Sequence, residues 1–219
     1  GPPWISIICM GKGSSGGRGP DRRPGRVSQT PGARGKMERT WQRQIGIVVV
    51  KVVKGDPLER QADALIIPST NLLRMDAGFA RDVKQAGGEE IEREARELSP
   101  ISVGAAVVTG AGRMPYRMVV HAAACGQDGR TSEDRKRMCV FNALKRCGDY
   151  AVSVAVMPLM ADAGSGMTLE ACAKAMFTAV SDFCCEHETA LRELQIVVAE
   201  DDAYRILAGE LDNIARKEA

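Results

Sequence analysis

The sequence predicts an α/β fold with a largely parallel central sheet and helices on both faces. Three observations predict it: near-continuous β-branched runs of five to nine residues recur along the chain, amphipathic helical stretches separate them, and no internal repeat interrupts the alternation. A strand that is apolar on both sides is covered on both faces, and strands alternating with helices favour parallel crossovers.

The expected strands are residues 45–53 (IGIVVVKVV), 62–68 (ADALIIP), 103–109 (VGAAVVT), 118–123 (MVVHAA), 151–158 (AVSVAVMP) and 195–199 (QIVVA). Helices are expected over 79–98, 132–147, 168–186 and 202–216. In the first, Glu89/Arg93 and Glu92/Arg96 stand at the i,i+4 spacing of helical ion pairs. The third is the clearest: Thr168 is a good N-cap, and apolar positions 169, 172, 173, 176, 177, 180, 183 and 184 form one stripe.

With 219 residues, 44% apolar and 26% charged, the chain suits one soluble domain plus an appendage. Residues 1–36 hold nine Gly, five Pro, seven Lys or Arg and one acid, Asp21. Of the 30 basic and 28 acidic residues, 23 and 27 remain for 37–219, so a net charge of +2 hides +6 on the leader and −4 on the body. A body of that sign is not a nucleic-acid binder by bulk charge. Residues 1–40 read as a disordered basic leader, either native or tag-derived, with Met37 a candidate start; 41–219 read as the domain.

No run reaches the roughly 18 apolar residues of a membrane span, and the apolar stretch 4–10 lacks the cationic flank of a secretory signal. Seven cysteines without a CxxC pair read as reduced thiols, mostly buried in helices, of an intracellular protein, cytoplasmic or nuclear. Two distant histidines add no metal site, and no cofactor is expected.

In such folds ligands collect at the carboxyl ends of the strands. The loops to read are Lys54-Gly55-Asp56-Pro57-Leu58, then Pro68-Ser69-Thr70-Asn71 leading through Asp76-Ala77-Gly78 into a helix, and residues 158–167 (PLMADAGSGM) before Thr168. A small-residue loop feeding a helix N-terminus suits a phosphate; the same composition also reads as a flexible turn. His121 reads as a hydrogen-bonded structural residue and His187 as solvated, while Cys184-Cys185 reads as core.

Together these segments resemble the macro domain family, whose better known members bind ADP-ribose. Gly55-Asp56 followed by Asp63-Ala64-Leu65-Ile66 is similar to its GDI…DAIV opening, and Pro68-Ser69-Thr70 falls on its NAAN segment. Gly78-Phe79-Ala80 with Ala86-Gly87-Gly88 resembles the glycine loop and the AGG behind it. Gly104 to Thr109, Met114-Pro115 and Val119-Val120-His121 match GxAxxT…LP…VIH. Residues 158–166 and Glu170-Ala171-Cys172-Ala173 resemble the phosphate loop and its EEAA helix.

The resemblance implies a three-layer α/β/α sandwich with a mixed, mostly parallel central sheet. It places ligand contacts at Asp56, Pro57, Thr70, Gly78, Phe79, Ala80, Asp162, Ala163, Gly164, Ser165, Gly166 and Met167. In the family pattern Asp56 accepts from the adenine amine; its other reading is a turn or cap aspartate beside Pro57.

Departures sit at the same site. Ile67 and Thr70 align with the two asparagines, Asp76 and Ala77 replace two of three glycines, and Ala199 takes the place of a stacking aromatic. Ala80 stands where some hydrolytic members carry an acid, which argues against their mechanism. Gly87-Gly88-Glu89-Glu90 has the wrong spacing for the poly(ADP-ribose) glycohydrolase signature. An inward Asp162, roughly 6 Å from a phosphate at an effective dielectric near 20, costs about 3 kcal/mol, on the order of a hundredfold in affinity.

Three functions follow from the resemblance. The first is a reader of ADP-ribose or a related nucleotide diphosphate, free or protein-linked. The second is an interaction module with a degraded pocket. The third is weak ADP-ribosyl hydrolysis by a water that the substrate diphosphate positions. The partner is ADP-ribose or an ADP-ribosylated protein, with no membrane, and nucleic acid only through the basic leader.

Overall fold

The computed structural model describes residues 28–31, 37–161 and 166–217. Its strands are β1 Ser28–Pro31, β2 Met37–Ile45, β3 Val48–Lys54, β4 Ala64–Thr70, β5 Ala106–Thr109, β6 Met118–Cys125, β7 Val154–Pro158 and β8 Glu193–Val198. They form one sheet in the order β1-β2-β3-β8-β7-β4-β6-β5. The central pairs β3/β8, β8/β7, β7/β4 and β4/β6 are parallel. The outer pairs β1/β2, β2/β3 and β5/β6 are antiparallel.

The helices are α1 Gly78–Gly87, α2 Glu89–Glu97, α3 Glu133–Asp149, α4 Leu169–Glu186 and α5 Asp201–Lys217. Alternation along the strands divides the core in two. Ala64, Ile66, Val120, Ala122, Ala155 and Met157 face α3, α4 and α5, whereas Leu65, Ile67, Val119, Val156 and Val197 face α1 and α2. The result is the mixed-sheet, three-layer sandwich.

Two local differences from the sequence reading have physical causes. The run 45–53 is not one strand, because Gly46 takes a φ of 56° and turns the chain, so that β2 and β3 pair from Ile45↔Val48 to Thr40↔Val53. The sheet therefore reaches back past residue 40, to strands at Met37–Ile45 and Ser28–Pro31. Trp41 Nε1 donates to Asp212 at 2.9 Å and Arg43 pairs with the same carboxylate at 2.7 Å, tying β2 to α5. The expected helix 79–98 is two helices, broken at Gly88, whose φ of 122° only glycine adopts readily.

Elsewhere the capping chemistry holds. Thr168 accepts from Ala171 N–H at 3.1 Å to start α4, and Ser132 accepts from Arg135 N–H at 3.2 Å to start α3. Asp63 Oδ2 accepts from Ser153 and Val154 N–H at 2.8 and 3.0 Å, holding the entry to β7 against β4.

Candidate functional site

β4 and β7 lie side by side in the sheet, but their chains leave it on opposite faces: β4 leads to α1, which packs on the smaller core, and β7 leads to α4, which packs on the larger one. Their ladder contains only Ala64↔Ala155 and Leu65↔Val156, so the carboxyl halves of the two strands are not paired to each other. A switch of this kind opens a crevice beyond the strand ends, with a helix N-terminus on each side. Asp56 follows the parallel strand β3 at the same edge.

Asp56 is exposed, and its Oδ1 accepts from Leu58 N–H at 2.9 Å, capping the short 3-10 helix Pro57–Glu59. The cap reading of this residue is thus realised, and the carboxylate still faces solvent. Tyr116 OH donates to Pro57 O at 2.7 Å. Burial first, and the Asp56 charge second, push the Tyr116 phenol up to about 12, so it remains a donor across the physiological range. On the other side of the turn Arg60 Nε donates to Gln195 Oε1 at 2.7 Å, Gln195 Nε2 donates to Glu193 Oε1 at 2.6 Å, and Lys51 pairs with Glu193 at 2.5 Å. Sequence reasoning missed this chain across β3 and β8 because its members are unremarkable polar residues far apart in the sequence.

At the end of β4, Ile67 is fully buried in the smaller core, so the position aligned with an asparagine is packing, and Thr70 is half-buried. Ser69 Oγ and Asn71 Oδ1 are buried without a protein partner among the described residues. Orphan polar atoms of this kind are where ligand groups or water bind. Asp76, Ala77 and Gly78 are exposed, Phe79 is half-buried and Ala80 is buried against the smaller core. Ala77 occupies the N-cap of α1 without a side-chain bond, leaving that helix's first amides to other partners.

Glu92 lies beneath this loop. Its Oε1 accepts from Met75 N–H at 2.9 Å and its Oε2 accepts from Lys84 Nζ at 2.9 Å. Burial works to raise the Glu92 carboxyl, but the Met75 amide and the Lys84 ammonium outweigh it and hold the group below its ordinary value. The partners differ from the i,i+4 reading, in which Glu92 faced Arg96.

On the α4 side, Asp162, Ala163, Gly164 and Ser165 lie outside the described residues. Gly166 is exposed, and Met167 is half-buried, packed against the larger core, just before the Thr168 cap. Ala199, after β8, is exposed.

His121 is fully buried on β6, with Nε2 at 2.9 Å from Thr109 Oγ1, and burial pushes it down to about 4. Its place is structural. Cys125, Cys139, Cys147 and Cys172 are buried thiols, Cys184 packs against the core, and Cys185 is exposed, so the Cys184-Cys185 pair is only half core. Among the described residues no His, Cys, Asp and Glu cluster has the makings of a metal site, and no helix is long and apolar enough to cross a membrane.

A family model described as the macro domain matches residues 68–176. The chain belongs to the macro domain family. An uncharacterized protein of Aquifex aeolicus is 36% identical over 135 residues, covering 61% of this chain and 82% of the relative. One of Sulfurisphaera tokodaii is 26% identical over 178 residues, 78% of this chain and 95% of the relative. Among solved structures, the Oceanobacillus iheyensis macrodomain with MES bound superposes with a TM-score of 0.73 at 17% identity, over 82% of this chain and 99% of that one. The Trypanosoma brucei macrodomain in complex with ADP-ribose gives 0.66 at 17% identity, over 73% and 68%. At such identities this macro domain shares their architecture, and its ligand must be argued from its own residues.

Proposed function

We propose that this macro domain is a reader of ADP-ribose or a closely related nucleotide diphosphate, bound in the crevice between β4 and β7. The observation that carries the reading is the switch itself: β4 and β7 are neighbours, their chains part to opposite faces, and the N-termini of α1 and α4 flank the opening. Helix N-termini supply N–H donors and a positive dipole end, which suit a diphosphate. In this reading the amides of Gly78, Phe79 and Ala80 meet it from one side, and those of Gly166 and Met167 from the other. Asp56 accepts from the adenine amine while Pro57 and Thr70 line the ends. The ADP-ribose complex of the Trypanosoma brucei macrodomain, which has the same fold, supports the choice of ligand.

Calorimetric titration with ADP-ribose tests the reading, and at a hundred times Kd the ligand is expected to stabilise the fold by about 2.7 kcal/mol. Absence of heat at millimolar ligand overturns it. The second reading, an interaction module with a degraded pocket, is favoured by Ile67, buried where the family pattern has a polar contact, and by the small Ala199 after β8. Binding by the wild type that is lost in Asp56→Ala removes that alternative.

A further inference from the structure

We propose that Glu92 is a positioning residue of the crevice: its carboxylate sets the loop before α1, and with it the first amides of that helix, in the geometry that an anion meets. The inference rests on the ADP-ribose reading and names a residue that touches no ligand.

The loop from β4 to α1 has two kinds of anchor. Leu73 and Met75 are buried, while Asp76, Ala77 and Gly78 are exposed. Main-chain bonds hold its start, with Leu73 N–H donating to Thr70 O at 3.1 Å, and its end, with Arg81 N–H donating to Ala77 O at 3.3 Å. Between them the main chain is held by Met75 N–H on Glu92. The other oxygen of the same carboxylate takes Lys84, two turns into α1. One side chain on α2 therefore fixes both the loop and the helix that the loop enters.

Glu92 is set apart from its neighbour Glu89 by burial, 15% against 85% exposed. A partly buried, charge-assisted acceptor holds its donors more firmly than a solvated one. Because α1 has no side-chain cap, a ligand anion must find Gly78 to Ala80 already in place. If loss of Glu92 leaves the loop in that arrangement a tenth of the time, the apparent Kd rises tenfold with no ligand contact removed.

ADP-ribose and adenosine are titrated into the wild type, E92A and E92Q, and hydrogen exchange is followed at the Met75 amide without ligand. E92A is expected to weaken ADP-ribose about tenfold and adenosine, which carries no phosphate, by less than about twofold, with faster Met75 exchange. E92Q keeps an acceptor for Met75 and is expected to recover most of the affinity. Should E92A not fold, K84M removes one partner of the carboxylate and is expected to weaken ADP-ribose about threefold. Unchanged ADP-ribose affinity, or equal losses for both ligands, overturns the positioning role alone. A wild type that binds no ADP-ribose overturns the reading beneath it as well.

Discussion

The Tyr116 hydroxyl donates to the Pro57 carbonyl oxygen at 2.7 Å, and this bond fixes the turn that presents Asp56 at the carboxyl edge of the sheet. Tyr116 is 7% exposed, so its removal leaves Pro57 O without that donor in a partly buried place. Tyr116→Phe keeps the ring and is expected to cost about 1 kcal/mol in urea unfolding, since it deletes one neutral hydrogen bond. The same variant is expected to weaken ADP-ribose severalfold by loosening Asp56. An affinity identical to wild type, with the stability loss present, would show that the turn does not contribute to the ligand site.

A Cβ on Gly112 would overlap the Gly87 carbonyl oxygen, because the 110–114 loop runs directly over the α1–α2 junction. Arg113 N–H donates to that same oxygen at 2.8 Å, so the contact cannot open without breaking the bond. Gly112→Ala also meets a φ of 56°, and the two effects together are expected to cost at least about 3 kcal/mol, seen as a lowered thermal midpoint. A loss below about 1 kcal/mol would mean that the loop relaxes freely.

The period of the apolar runs and the caps made most of the fold legible. The strand from 118 and the helix from Thr168 stand where the pattern placed them, because buried parallel strands and amphipathic helices carry their signal locally. The hairpin at Gly46 did not show, since Gln42, Arg43 and Gln44 interrupt the apolar pattern between Trp41 and Ile45 and the pairing of β2 with β3 is tertiary. The break at Gly88 hides inside a strong helical charge pattern. At the proposed site, the resemblance singles out Asp56 and the Gly78 loop, which the structure sets after β3 and β4. Glu92 was not legible, because spacing along one helix suggests Arg96 as its partner, whereas packing supplies Met75 and Lys84 from another element. His121 reads from the sequence as a hydrogen-bonded structural residue, and the structure supplies the partner that the sequence does not name: Thr109, across β5 and β6.

Gly78 opens α1 with a φ of 56°, and a Cβ built on it meets nothing within 4 Å. Gly78→Ala therefore carries the left-handed penalty alone, about 1–2 kcal/mol, without a packing clash. The proposed ligand lies over the same open space, so the added methyl is expected to lower ADP-ribose affinity at least tenfold, more than the stability change accounts for. Isothermal calorimetry beside thermal unfolding separates the two. Full retention of affinity would place the diphosphate away from the α1 N-terminus.

His121 couples the fold to pH. Burial lowers it from 6.5 to about 4, and its Nδ1 is buried without a partner among the described residues, so protonation brings no compensating acceptor there. Between those two values the unfolded chain binds a proton that the folded chain does not. Stability is thus unaffected by this group above pH 6.5 and falls as pH drops from 6.5 towards 4. At 1.36 kcal/mol per unit the full loss is roughly 3 kcal/mol. Carboxylates contribute mainly at lower pH, so the comparison that isolates His121 is the slope of unfolding free energy between pH 6.5 and 5. His121→Gln, which keeps a polar group opposite Thr109, is expected to start less stable and to show a flattened slope. Parallel slopes in variant and wild type would mean that the imidazole finds a way to charge inside the fold.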